Sequence, residues 1–461
     1  MDLEVAGSSP VGHPVQTKIA ELGAHQRLLT LTLDAAELEA AREQATRKLG
    51  KDLNLKGFRP GKAPRRMVES AVGIERIQAE AIELALSEHL VEALTVAGLE
   101  PATSPELRET RDVDGGLEAD LAITLWPRPS RIPTLAGRRI EVSSPQVSND
   151  EIKSQIDRLR AQYSDLEDVA RPSQEGDFVQ IDLSAKAGGL PVEDVAARDL
   201  LYEVGSRAFV AGLDEQATGK RPGEIVKFPA TLPPGFGKHA GQEVELTVLV
   251  KAVRQRKLPE LTDAWVDEVS ELSTIAELEA KIREGLAPVK RAMVADEYRA
   301  KLLAETAQAT DLELPEPLIV AETQSRLHNL LHELNERGLA VPDYLSATGL
   351  SEDTLVAQVR AQAVRALRSR ILLDAVAEQE GIGVDDEELE AALTSLAEAA
   401  KQAPEELSQK LRTDGRAGAL AGDILRRKAL DRMAELARPV DAEGNELELE
   451  PEESSEEVGA T

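Results

Sequence analysis

The sequence predicts a multidomain α+β protein, with an N-terminal α+β domain, a small β-rich middle domain and an all-α C-terminal domain. Three observations carry this. At 461 residues the chain exceeds the size at which one core keeps growing. Hydrophobic residues make up 42% of it but aromatics only 2%, so its cores are built from Leu, Val, Ile and Ala, a composition suited to helices. Alternating apolar runs cluster before residue 126 and again between 177 and 253, with helical periodicity elsewhere.

Residues 15–33 read as strand, and Asp34 with Glu37 opens a helix toward Asn54. Residues 55–64 break it, and helices follow over about 65–72 and 75–97. Leu117, Ala119, Leu121, Ile123 and Leu125 then alternate until Trp126-Pro127, closing a first domain at 1–130. Pro129, Pro133 and Gly137 mark a linker, 131–175, in which Ser148 and Glu151 form a capping box for a helix to about Tyr163. Short strands between glycines and prolines define a middle domain at 176–256. Four of the five phenylalanines fall there (Phe178, Phe209, Phe228, Phe236), as expected either for a small core that needs large side chains or for a pocket.

From 257 to 440 the chain is helical, with start signals at Thr274/Glu277, Ser351 and Asp385/Glu388. Leu355, Val356, Val359, Val364, Leu367, Ile371, Leu372 and Val376 form a helical stripe, and periodicity alone does not say whether it packs or stays open to a client. Residues 441–461 carry nine acidic residues and no basic one, and are expected to be a disordered tail.

Composition also excludes chemistry. With no cysteine there are no disulfides, no thiolate catalysis and no cysteine-ligated zinc or iron–sulfur site. No cofactor is called for. Gly212 with Gly219-Lys220, and Gly57 with Gly61-Lys62, miss the phosphate-loop spacing and lack its Ser or Thr. His328 and His332 share a helix face without a third metal ligand. Neither a leader nor a membrane span is read from the sequence, so a cytoplasmic protein is expected. The net charge of −30 repels nucleic acid, so contact with RNA requires a local basic patch.

That patch is 56–66, with Lys56, Arg59, Lys62, Arg65 and Arg66, no acid, stiffening at Pro60 and Pro64, and bends at Gly57 and Gly61. Within it, Gly57-Phe58-Arg59-Pro60-Gly61-Lys62-Ala63-Pro64 resembles the ribosome-docking motif of trigger factors. The resemblance continues in that family's order through a ribosome-binding domain, an FKBP-like domain and a helical substrate cradle. It implies that Phe58, Arg59 and Lys62 dock on a large-subunit protein and nearby RNA at the exit tunnel. It also implies that the helical part holds nascent unfolded polypeptides without ATP, with no membrane partner. Exposed apolar cradle surface would favour self-association of free molecules.

The stretch Val204–Glu215 is similar to FKBP-type prolyl isomerases, with Val210 at the pocket floor. Such a pocket lowers the roughly 18–20 kcal/mol barrier of an X-Pro bond by favouring its twisted amide. Where that family places aromatics, Leu183, Val192, Leu213 and Leu246 stand here, beside Phe209 and Phe236. Tyr202 is expected to turn its hydroxyl to solvent. The expectation is therefore reduced isomerase activity, or an apolar peptide-binding site in its place. Two alternatives stay open: a dedicated cytoplasmic prolyl isomerase, and an assembly or scaffold chaperone that meets no ribosome.

Overall fold

The computed structural model describes residues 3–6, 16–51, 64–113, 116–233, 236, 239 and 241–449. It falls into two compact units, one built from 1–142 and 296–448, the other centred on 143–295.

The first unit begins with β1 (Leu3–Ala6), β2 (Gln16–Gly23), β3 (Gln26–Leu33), α1 (Ala35–Lys51), α2 (Arg65–Val72), α3 (Ile74–Ala97), β4 (Glu106–Val113) and β5 (Gly116–Thr124). The strands form an antiparallel sheet in the order β1-β2-β3-β5-β4. Leu29, Leu31 and Leu33 alternate on β3 and are buried with Leu117, Ala119, Leu121 and Ile123 of β5. Leu38, Ala41 and Ala45 of α1 and Ile77, Ala81 and Ala85 of α3 join the same core, small side chains letting the helices lie close to the sheet and to each other. The predicted start of α1 is a capping box, with the Asp34 carboxylate accepting from Glu37 N and the Glu37 carboxylate from Asp34 N, both at 2.8 Å. A Cβ on Gly116 would come within 2.2 Å of the Leu33 carbonyl oxygen, so only glycine lets β5 start against β3. β6 (Arg139–Glu141) follows.

The second unit holds α4 (Asn149–Gln162), β7 (Asp165–Asp168), β8 (Phe178–Ala187), β9 (Leu190–Glu203), α5 (Leu213–Ala217), β10 (Ile225–Thr231), β11 (Glu243–Lys257), α6 (Asp263–Val269) and α7 (Ile275–Ala309) as far as Ala295. The predicted capping box of α4 is present. Ile152 and Ile156 of α4 pack on Trp265, Val266 and Leu278. The sheet runs β10-β11-β8-β9, with β7 on the far end of β11. Alternation supplies its core: Val179, Ile181, Leu183 and Ala185 from β8 face inward with Val244, Leu246, Val248 and Val250 from β11.

The rest of the first unit is α8 (Glu316–Glu336), α9 (Val341–Thr348), α10 (Glu352–Glu380), α11 (Asp386–Ala399), α12 (Pro404–Thr413), α13 (Arg416–Leu436) and β12 (Arg438–Val440). Ser351 and Asp385 cap α10 and α11 as predicted. In the α10 stripe, Leu355, Val359, Leu367, Ile371, Leu372 and Val376 are buried and Val356 is exposed, so most of the stripe packs on neighbouring helices. The Arg368 guanidinium donates to the carbonyls of Ala307 (3.2 Å), Thr310 (2.7 Å) and Leu312 (3.0 Å), satisfying acceptors at the end of α7. Trp126 packs against this helical core with Arg370 4.5 Å over its ring.

β12 pairs in parallel with β6. The chain from 441 was expected to be disordered, and its first residues are instead tied down. Asp441 N donates to the Asn445 carbonyl at 2.9 Å, its carboxylate accepts from Glu443 and Asn445 N–H groups, and Leu447 N reaches the Pro439 carbonyl at 3.0 Å. The acidic composition overlooked this because an Asp side chain that caps a turn keeps its charge in water. Residues 450–461 lie outside the described residues.

Candidate functional site

Two places were singled out by the sequence, the basic loop and the middle domain's apolar wall. Gly57, Phe58, Arg59, Pro60, Gly61, Lys62 and Ala63 lie outside the described residues, and Pro64 is the last residue before α2. Its carbonyl accepts from Met67 N at 2.8 Å, starting that helix. The two flanks of the loop are locked together. Arg65 donates to Glu39 of α1 and to Glu69 one turn on, each at 2.6 Å, and these carboxylates hold its guanidinium above the ordinary arginine range. Val68 is buried against Gly50. Arg65, counted from the sequence as part of the basic patch, therefore ties the start of α2 to α1, while Arg66 stays exposed.

In the second unit, Leu183, Val192, Phe209, Val210, Leu213, Phe236 and Leu246 all meet in one cluster. They do not meet as a uniform wall. Leu213 and Leu246 are fully buried, and Leu183, Val192 and Val210 nearly so, all filling the interior between sheet and α5. Leu246 sits opposite both Phe228 and Ala185 in the strand register, which fixes it on the inner face. Phe209 and Phe236 are half-buried at the rim, edge to face with centroids 5.7 Å apart. Of the seven residues singled out from the sequence, these two keep surface open to water as the half-buried members.

Tyr202 departs from expectation. It is 4% exposed, and its hydroxyl donates to Asp214 Oδ1 at 2.7 Å. Burial first, and then the bond to Asp214, pushes its phenol up to about 12. The alternation was there to be read: Tyr202 and Val204 stand two apart on β9 and its continuation, and both face in. Asp214 carried no such signal, since an acid in the first turn of a helix is ordinary. The same carboxylate accepts from Gly205 N at 2.5 Å and Arg207 N at 3.1 Å.

His328 and His332 are exposed on α8, and among the described residues no group of three acidic or histidine side chains could hold a metal ion. No helix among them is long and apolar enough to cross a membrane.

The described residues give two separate sheet cores, a helical C-terminal portion, and an ion pair that joins α1 to α2 across the ends of the basic segment. The family described as bacterial trigger factor protein matches residues 15–159, and the one described as bacterial trigger factor protein C-terminus matches 274–435. The trigger factor of Frankia alni is 34% identical over 91% of this chain and 85% of its own length, and that of Nocardia farcinica 32% over 94% and 93%. A solved structure described as promiscuous substrate recognition in folding and assembly activities of the trigger factor chaperone covers 90% of this chain and 99% of its own, at 20% identity and TM-score 0.46. The chain belongs to the trigger factor family, and it is a ribosome-associated chaperone.

Proposed function

We propose that the chain docks through residues 57–64 on the large ribosomal subunit at the tunnel exit, with Phe58, Arg59 and Lys62 as contacts to protein and nearby RNA. The observation that carries this is a proline-stiffened basic segment, free of acid, on a chain of net charge −30. Locking of its flanks by Arg65–Glu39 and Val68–Gly50 supports the reading, because fixed ends reduce the ordering cost of docking. Docking raises the local concentration of nascent unfolded chains, so weak contacts to the helical portion suffice and no nucleotide is needed for release. The protein acts in the cytoplasm. Co-sedimentation with ribosomes tests this: changing Phe58, Arg59 and Lys62 to Ala abolishes pelleting, and unchanged pelleting would sink the docking claim.

The middle domain is an FKBP-type prolyl isomerase of reduced activity, its rim formed by Phe209 and Phe236 over Val210. A proline-limited refolding assay reads it: Val210→Asp removes the catalysed phase while ribosome pelleting stays intact.

A further inference from the structure

We propose that Asp214 and Tyr202 are positioning residues that hold the 204–212 segment so that Phe209 meets Phe236 as a two-ring wall for a prolyl side chain. This rests on reading the domain as an X-Pro isomerase. The segment between buried Val204 and buried Leu213 has no strand or helix of its own, yet it carries Phe209 and Val210. Its backbone is unusual. Gly205 and Gly212 have φ of +94° and +87°, and Arg207 stands at +53°, a left-handed conformation that a residue with a Cβ avoids. Such an outlier persists only where its surroundings impose it.

Asp214 is what imposes it. One carboxylate takes the Gly205 and Arg207 amides, the two N–H groups flanking Ser206, together with the Tyr202 hydroxyl. Tyr202 in turn is held by burial in the sheet. A carboxylate can accept all three bonds, whereas an Asn side chain presents an NH2 group to at least one donor. Of the four rings in this cluster Tyr202 and Phe228 are buried, so the half-buried Phe209 and Phe236 are the faces left for a prolyl ring, and their geometry depends on this lock.

The full chain tests this with a Leu-Pro-containing tetrapeptide, measuring cis/trans exchange and affinity by NMR. Asp214→Asn is expected to raise KM about tenfold with a smaller change in kcat, because the ring pair grips both isomers. Tyr202→Phe gives a smaller rise, and Asp214→Glu, which keeps the carboxylate, restores part of the loss. The Phe209–Phe236 ring NOE fades in Asp214→Asn while methyl signals of Val179, Leu246 and Val250 stay in place. Wild-type KM with the NOE retained in both Asp214→Asn and Tyr202→Phe overturns the proposal. If Asp214→Asn loses the methyl signals, Tyr202→Phe decides by the same readouts. If the wild-type chain binds the peptide without speeding exchange, the isomerase reading fails by itself, and affinity and the NOE still judge the lock.

Discussion

The two antiparallel sheets solve the same burial problem with different side chains. The N-terminal core is Leu, Ile, Val and Ala throughout, and the residues read as functional fall in sequence between α1 and α2, outside the described residues. The middle core holds Tyr202, Phe209, Phe228 and Phe236, and its candidate site residues are part of the core itself. Function and stability are therefore expected to be separable in the first region and coupled in the second. Changes at Phe58, Arg59 and Lys62 are expected to leave the first core intact, while each aliphatic residue behind the two rings removes packed volume when trimmed.

The two tryptophans make the contrast measurable, since Trp126 packs in the first unit and Trp265 in the second. The largest expected effect is on ribosome pelleting by the Phe58, Arg59 and Lys62 to Ala variant, with the unfolding midpoint reported by Trp126 unmoved. A lowered midpoint would break the claimed separation. Next in size, Leu246→Ala is expected to destabilise the second unit by about 2–5 kcal/mol, as for other fully buried leucines. Urea unfolding followed through Trp265 in a Trp126→Phe background reads this, and a loss under ~0.5 kcal/mol would show that the predicted pocket residue is not core.

The smallest effect belongs to the α4 cap. Lys290, and then Ser148, hold the Glu151 carboxyl down at about 2 from an ordinary 4.5. Because the folded value is depressed, its contribution is complete above pH 4.5 and disappears as pH falls toward 2. Glu151→Gln should flatten that part of the acid profile seen by Trp265, whose packing includes Ile152 and Ile156 of α4. A profile unchanged by the substitution would remove the cap from the account of acid stability.

Much of this was legible in the chain because its causes are local. Ser148/Glu151 and Asp385/Glu388 announce helix starts since a side chain three residues away satisfies a backbone N–H, and the alternation of β5 and β8 follows from the two-residue repeat of a strand. The octapeptide at 57–64 was likewise visible as composition, charge and resemblance.

What required the tertiary structure is whatever depends on residues far apart in sequence. The parallel pairing of 139–141 with 438–440, the Trp126–Arg370 contact, and the conversion of Arg65 from patch charge to staple leave no period in the chain. The bond from Tyr202 to Asp214 spans only twelve residues, yet it too was hidden, because a left-handed Arg207 and two glycines turn the backbone back on itself. By itself, the sequence determined the elements and the class of protein. Only folding decided which predicted site residues became interior and which two rings were left at the rim, since burial is a property of neighbours rather than of a residue.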